Sequence, residues 1–148
     1  MVWKPRLTVA AVVERDARFL MVEERIEGRL TLNQPAGHVE DGESILSAVE
    51  RETWEETAWR FRPDSLIGIY RWVHPGGDTF LRVAISGGVF EHDPDQALDP
   101  DIESARWVAQ DELQTASDDV FRSPLVMRCI EDYRQGFRYP LALLQDVE

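Results

Sequence analysis

Apolar and polar positions follow two different periods along this chain. From Leu7 to Val13 the residues are apolar and largely β-branched with almost no break, the pattern of a strand buried on both faces. Phe19 to Val22 makes a second such strand, and Arg15-Asp16-Ala17-Arg18 is the turn between them. Ile26 to Asn33 contains Gly28 and reads as a loop or a short strand, and Pro35, Gly37 and Gly42 then punctuate a turn. Beyond it the period lengthens. Ile45, Ala48 and Val49 recur at helical spacing, which predicts a helix from about Ser44 to Thr57 with Ser44 as N-cap. Two longer strands are expected over Leu66 to His74 and Thr79 to Phe90, joined by the turn Pro75-Gly76-Gly77-Asp78. His92 to Asp101 reads as a loop, Ser104 to Val108 as a short strand and Ala109 to Leu113 as a helical turn. A last helix has Ser123 as N-cap, Pro124 at its first position, Leu125, Val126, Cys129, Ile130 and Tyr133 on one face, and Gly136 as terminator. The order strands, helix, strands, helix predicts one domain over residues 1–148, an α+β fold in which a mixed sheet packs between helices as an α/β/α sandwich.

One face of the first helix changes character along its length. At 3.6 residues per turn, Glu52, Glu55 and Glu56 fall in the same sector as Ile45, Ala48 and Val49. A face that starts as a core stripe therefore ends in carboxylates. Repulsion and desolvation both oppose such an arrangement, and an oxygen-binding divalent cation removes both objections. Mg2+ suits a carboxylate site, with Mn2+ able to substitute.

Charge and composition narrow the partners. The net charge is −12 and no basic block is present, which argues against a nucleic-acid polymer. A small phosphorylated substrate is compatible with so acidic a chain only if metals invert the local field. No apolar run is long enough to cross a membrane and the N-terminus lacks a signal-like apolar region, so no membrane partner and a cytoplasmic location are expected. The single cysteine, Cys129, excludes an intrachain disulfide framework and a thiolate metal site. A monomer and a homodimer both remain open.

The spacing of Gly37, Glu43, Arg51, Glu52, Glu55 and Glu56 resembles the Nudix box, G-x5-E-x7-R-E-U-x-E-E-x-G-U, where U is bulky and apolar. Thr53 stands where the box prefers an aliphatic residue, Ala58 stands in place of its last glycine, and Trp59 suits the final apolar position. Lys4 to Ala10, Asn33 to His38, Arg122 to Val126 and Arg138-Tyr139-Pro140 are similar to phosphatase members of the same family. The resemblance implies the Nudix fold and Mg2+-dependent hydrolysis of a phosphoanhydride or terminal phosphate bond. It further implies nucleoside di- and triphosphates and pyrimidine pyrophosphates of the thiamine pathway as substrates, with release of orthophosphate. Pyrophosphate release by a nucleoside triphosphate pyrophosphohydrolase is the alternative.

Roles follow residue by residue from that resemblance. Glu52, Glu55 and Glu56 are metal ligands, with Glu52 assisting as base. Gly37 is either a carbonyl ligand or only a turn glycine. Arg51 orients the acids, and Glu43 either meets the first helical turn or supports the metal site. An additional acid from outside the box is expected among Glu91, Asp99, Asp101 and Glu103, with Asp101 and Glu103 preferred because they precede the Arg106-Trp107-Val108 strand. Arg6, Arg25, Arg71 and His38 are candidates to meet phosphate, and Trp72 or Tyr70 to stack on a planar ring.

Two rivals come from other classes. A non-catalytic nucleotide-sensing module of the same fold usually lacks box acids, and here they are intact. The isomerase branch needs a catalytic cysteine, whereas Cys129 sits on the apolar face of its helix.

Overall fold

The computed structural model describes residues 1–147. Among the described residues, eight strands and three α-helices follow in chain order: β1 (Arg6–Val12), β2 (Glu14–Arg15), β3 (Arg18–Ile26), β4 (Arg29–Asn33), β5 (Ala36–His38), α1 (Ile45–Thr57), β6 (Arg60–Val73), β7 (Thr79–Phe90), β8 (Ile102–Ala109), α2 (Gln110–Thr115) and α3 (Leu125–Arg134). One sheet has the order β5-β1-β7-β6 and is mixed, because β1 runs parallel to β7 while its other pairings are antiparallel. The second is antiparallel and is built on β3, with β8 along one edge and β2 and β4 sharing the other.

Alternation along the strands splits the core into two layers. Val9, Ala11, Val13 and Leu20 pack with Ala48 and Val49 of α1. Val12, Phe19 and Met21 point the other way, onto Val126, Cys129 and Ile130 of α3. The sandwich expected from the element order is therefore present, with α1 on one side and α3 on the other. The apolar faces of these two helices cover the strands from opposite sides, and that burial is what fixes the strands' orientation.

Local chemistry explains the element ends. The Ser44 side chain accepts from the Ser47 N–H at 3.0 Å and caps α1. Ala58 closes the same helix in the left-handed region at φ 59°, the conformation for which glycine is usually chosen. In α3 the Ser123 hydroxyl accepts from Leu125 N–H at 3.2 Å with Pro124 entering the first turn, as expected.

The start of β6 and the segment around Gly37 differ from the sequence expectation. β6 begins at Arg60 rather than Leu66. Pro63 looked like a barrier, but β6 lies at the sheet edge and its register shifts between Pro63 and Ser65, so the missing N–H costs no ladder bond there. The turn read around Gly37 is a short strand, β5, with Gly37 opposite Val9. Of the two readings of Ile26 to Asn33, the short strand holds: β4 forms across a turn that has Glu27 and Gly28 at positive φ.

Candidate active site

The site grows from the end of α1. Glu52 and Glu56, on the core-facing side of that helix, are 9% and 7% exposed. Glu55 is turned outward, its side chain 42% exposed. Strand β5 lies across the two buried acids. The Glu56 Oε1 accepts from the Ala36 N–H at 2.8 Å. The Glu52 carboxylate occupies the space beside Gly37, where a Cβ would lie 2.1 Å from the Glu52 Cδ. Gly37 is thus explained by neither sequence reading alone. It is a strand residue whose missing side chain gives the Glu52 carboxylate its room.

Arg51 ties the acids together. Its Nε and Nη2 donate to the two oxygens of Glu43 at 2.6 and 3.0 Å, a bidentate fork. Its Nη1 donates to Glu52 Oε1 at 2.9 Å and to Glu55 Oε2 at 3.2 Å, and Nη2 also reaches the His38 carbonyl at 3.0 Å. Glu43 is therefore the anchor of the arginine, and its hydrogen bond with Arg51 holds its carboxyl below the usual range. It also accepts from the Glu40 N–H at 3.0 Å, which ties the loop before α1 to the same cluster.

Burial sets the electrostatics of the remaining acids. It raises Glu52 despite Arg51, with the charges of Glu55 and Asp99 adding to the effect. It pushes Glu56 up to about 9, opposed by the Ala36 N–H and reinforced by Glu52, Glu24 and Asp99. Glu56, so placed, holds its proton at neutral pH unless a cation replaces it.

Glu52 and Glu56 line a pocket of about 400 Å³. Glu24, Asp99 and Asp101 add acids, Arg82 and Arg122 add cations, and Trp72, His74, Phe80 and His38 form an aromatic wall. The Trp72 and Phe80 ring centres are 5.8 Å apart, and those of His38 and Phe80 are 6.4 Å apart.

Among the described residues, no three His, Cys, Asp or Glu side chains are already drawn close enough to hold an ion. The donor chemistry nevertheless fits a hard divalent cation. Glu52 and Glu55 each give one oxygen to Arg51 and Glu56 gives one to Ala36, leaving the second oxygen of each for a ligand bond.

The other sequence candidates divide. Asp101, His38 and Trp72 line the pocket. Glu103 and Arg25 instead bond each other at 3.0 Å, both half exposed and outside the lining, and Arg6 pairs with Asp78 at 3.1 Å at the surface. Arg71 is exposed on the opposite face of β6 from Trp72. Tyr70 donates to Asp132 of α3 at 2.8 Å and packs against the core there. Cys129 is 0% exposed in that core, and burial pushes its thiol up.

Asp99 reaches the site because its N–H donates to the Glu55 carbonyl at 2.8 Å, stapling the loop onto the end of α1. Glu24 and Arg82 were not singled out from the sequence. Arg82 stands in a segment that reads as ordinary sheet, marked only by a charge at a core position of β7, and Glu24 lies past Val22, where the sequence reading ends the strand that runs on to Ile26.

A NUDIX domain model matches residues 4–129. The chain is 42% identical to the phosphatase NudJ of Escherichia coli strain K12, over 97% of this chain and 93% of that protein. A NUDIX hydrolase structure from Nitrosomonas europaea superposes with a TM-score of 0.94 at 51% identity, covering 97% of this chain and 98% of that one. The MutT NUDIX hydrolase from Burkholderia pseudomallei shares the fold at a TM-score of 0.72 and 22% identity, over 88% of this chain and 98% of that one.

Proposed function

Since the chain belongs to the Nudix domain family and is a hydrolase of small phosphorylated compounds, we propose that it is a Mg2+-dependent phosphatase. Its substrates in this reading are nucleoside tri- and diphosphates and pyrimidine pyrophosphates of the thiamine pathway, cleaved with release of orthophosphate. The observation that carries the proposal is the pairing of Glu52 and Glu56 in one pocket with aromatic side chains, next to an arginine that holds Glu52 and Glu55. The phosphatase choice draws on the likeness to NudJ over nearly the whole chain.

Glu52, Glu55 and Glu56 would hold the cation, with the Gly37 carbonyl as a further ligand. When bound, Mg2+ neutralises phosphoryl charge and lowers the pKa of a coordinated water. Arg51 keeps Glu52 and Glu55 in place, so that their free oxygens need little reorganisation. Glu52 is suited to take a proton from the attacking water, because burial already raises its proton affinity. Asp99 or Asp101 would serve as the acid from outside the box. Trp72, Phe80, His74 and His38 offer faces on which a planar base or pyrimidine can stack. Among the described residues no helix is long and apolar enough to cross a membrane, and we place the enzyme in the cytoplasm.

The test is phosphate release from a panel of nucleotides and thiamine-pathway pyrophosphates, with and without Mg2+, by wild type and Glu56→Gln. Strong release only with Mg2+ and intact Glu56 supports the proposal. Activity that survives EDTA contradicts it, and a panel with no turnover favours a sensing module.

A further inference from the structure

Two arginines that the catalytic reading leaves unused, Arg82 and Arg122, line the same pocket as the carboxylates; Asn33, which holds Arg82, also donates to Glu24 Oε1 at 3.3 Å. Arg82 of β7 lines the pocket and is 5% exposed. A buried guanidinium normally meets a carboxylate, because desolvating it costs several kcal/mol. Here its Nη1 and Nη2 donate to neutral amides instead, to Gln34 Oε1 at 2.8 Å and Asn33 Oδ1 at 3.1 Å. Its Nε is buried with no hydrogen-bond partner. The cation is held rigidly and its charge is not neutralised by the groups that hold it.

The same pocket receives the start of α3, where Arg122, Ser123 and Leu125 all line it. α3 runs ten residues, Leu125–Arg134, and its N-terminus carries the positive end of the helix dipole. The two features are mechanically joined, since Gln34 donates to the Val126 carbonyl in the first turn of α3 at 2.7 Å while accepting from Arg82. The exposed Arg122 is placed by its own N–H, which donates to the Leu32 carbonyl at 2.8 Å.

We propose that Arg82 and Arg122, with the positive end of the α3 dipole beside them, form a second anion subsite, which holds the phosphate next to the one being hydrolysed. This rests on the phosphohydrolase reading above and deepens it. The carboxylate side takes the reacting phosphoryl group through its cation, while the arginine side takes its neighbour. Substrates with two or more linked phosphates span both, and a monophosphate fills only one. Selection for di- and triphosphates is thereby built into the pocket. Arg122 and Arg82 act here as specificity determinants through direct charge-assisted hydrogen bonds.

Calorimetry with methylenediphosphonate, which cannot be hydrolysed, and with methylphosphonate tests this in the presence of Mg2+. Wild type should bind the diphosphonate at least about ten times more tightly, a margin typical of one further charge-assisted contact. Arg122→Ala, at an exposed position that the fold does not need, and Arg82→Lys should each weaken diphosphonate binding by roughly five- to tenfold and leave methylphosphonate within about twofold. If Arg82→Lys fails to fold, Arg122→Ala decides alone. Equal weakening of both probes, or no change for either, overturns the subsite. Diphosphonate selectivity that depends on Arg122 in a protein with no turnover on any nucleotide upholds the subsite and refutes the hydrolytic reading instead.

Discussion

Replacing Gly37 with alanine tests the packing of the site more sharply than removing any of its acids. The added Cβ would stand 2.1 Å from Glu52 Cδ and 2.3 and 2.4 Å from its two oxygens. Ordinary contacts between such atoms are about 3.5 Å or longer, so either the carboxylate or β5 must give way by more than about 1 Å. Glu52 is hemmed in by its bond to Arg51 at 2.9 Å and by burial at 9% exposure. β5 is tied to Glu56 through the Ala36 N–H. Either movement misplaces a catalytic acid, and displacement on this scale costs on the order of 10²-fold in rate. The stability loss should be smaller, about 1–2 kcal/mol, since one charged hydrogen bond is disturbed and no cavity opens. Gly88→Ala is the control, because nothing lies within 4 Å of the Cβ added there. The assay is phosphate release at saturating substrate alongside thermal melting, for Gly37→Ala, Glu52→Gln and the double variant. Since both changes act through Glu52, the double variant should be little slower than the slower single one. Wild-type turnover in a folded Gly37→Ala protein, or losses that simply multiply, would refute the reasoning.

The remaining expectations concern the metal, the acids and the core. Glu56→Gln should lower turnover by on the order of 10²-fold or more, measured at saturating Mg2+, because it removes a charged ligand without changing size. Burial raises Glu56 from 4.5 to about 9, so in metal-free protein its contribution to stability is fullest below pH 4.5 and is lost as pH rises toward 9. Mg2+ should therefore raise the melting temperature more at high pH than at low, and Glu56→Gln should flatten that dependence; a Mg2+ effect independent of pH would count against it. Cys129→Ala should leave turnover nearly unchanged and cost roughly 1 kcal/mol in denaturant melts, as a small truncation in the α3 core. Loss of activity in that folded variant would reopen the isomerase reading.

Local patterns carried the helix and its box. Ser44, the apolar spacing and the run Arg51 to Glu56 are close in sequence, so α1 and the arginine–carboxylate cluster could be read directly. That Arg51 reaches back eight residues to Glu43 was not legible, because it depends on how the loop before α1 folds back onto the helix. What sequence could not supply is what strand pairing brings together. Gly37 meets Glu52 because β5 pairs with β1 above α1. Arg82 meets Gln34 and Asn33 only because β1 carries β7 on one edge and β5 on the other. Proximity to the Arg106-Trp107-Val108 strand favoured Asp101 and Glu103 over Asp99 as the outer acid, and of these two Asp101 lines the pocket. The strand pairing instead sends Glu103 to Arg25, and a single backbone bond to Glu55 brings Asp99 inward. Pro63 concealed the first part of β6 because an edge strand tolerates what a central one does not.

In the proposed function, this carboxylate pocket drives metal-dependent removal of a terminal phosphate. The most direct test is a product time course for a nucleoside triphosphate in heavy-oxygen water, with products separated by ion exchange, run in Mg2+ and in EDTA. Labelled orthophosphate and nucleoside diphosphate are expected first, monophosphate later, and no products in EDTA. Pyrophosphate and monophosphate appearing together from the earliest points would contradict the phosphatase assignment, and the same products at the same rate in EDTA would contradict the metal site itself.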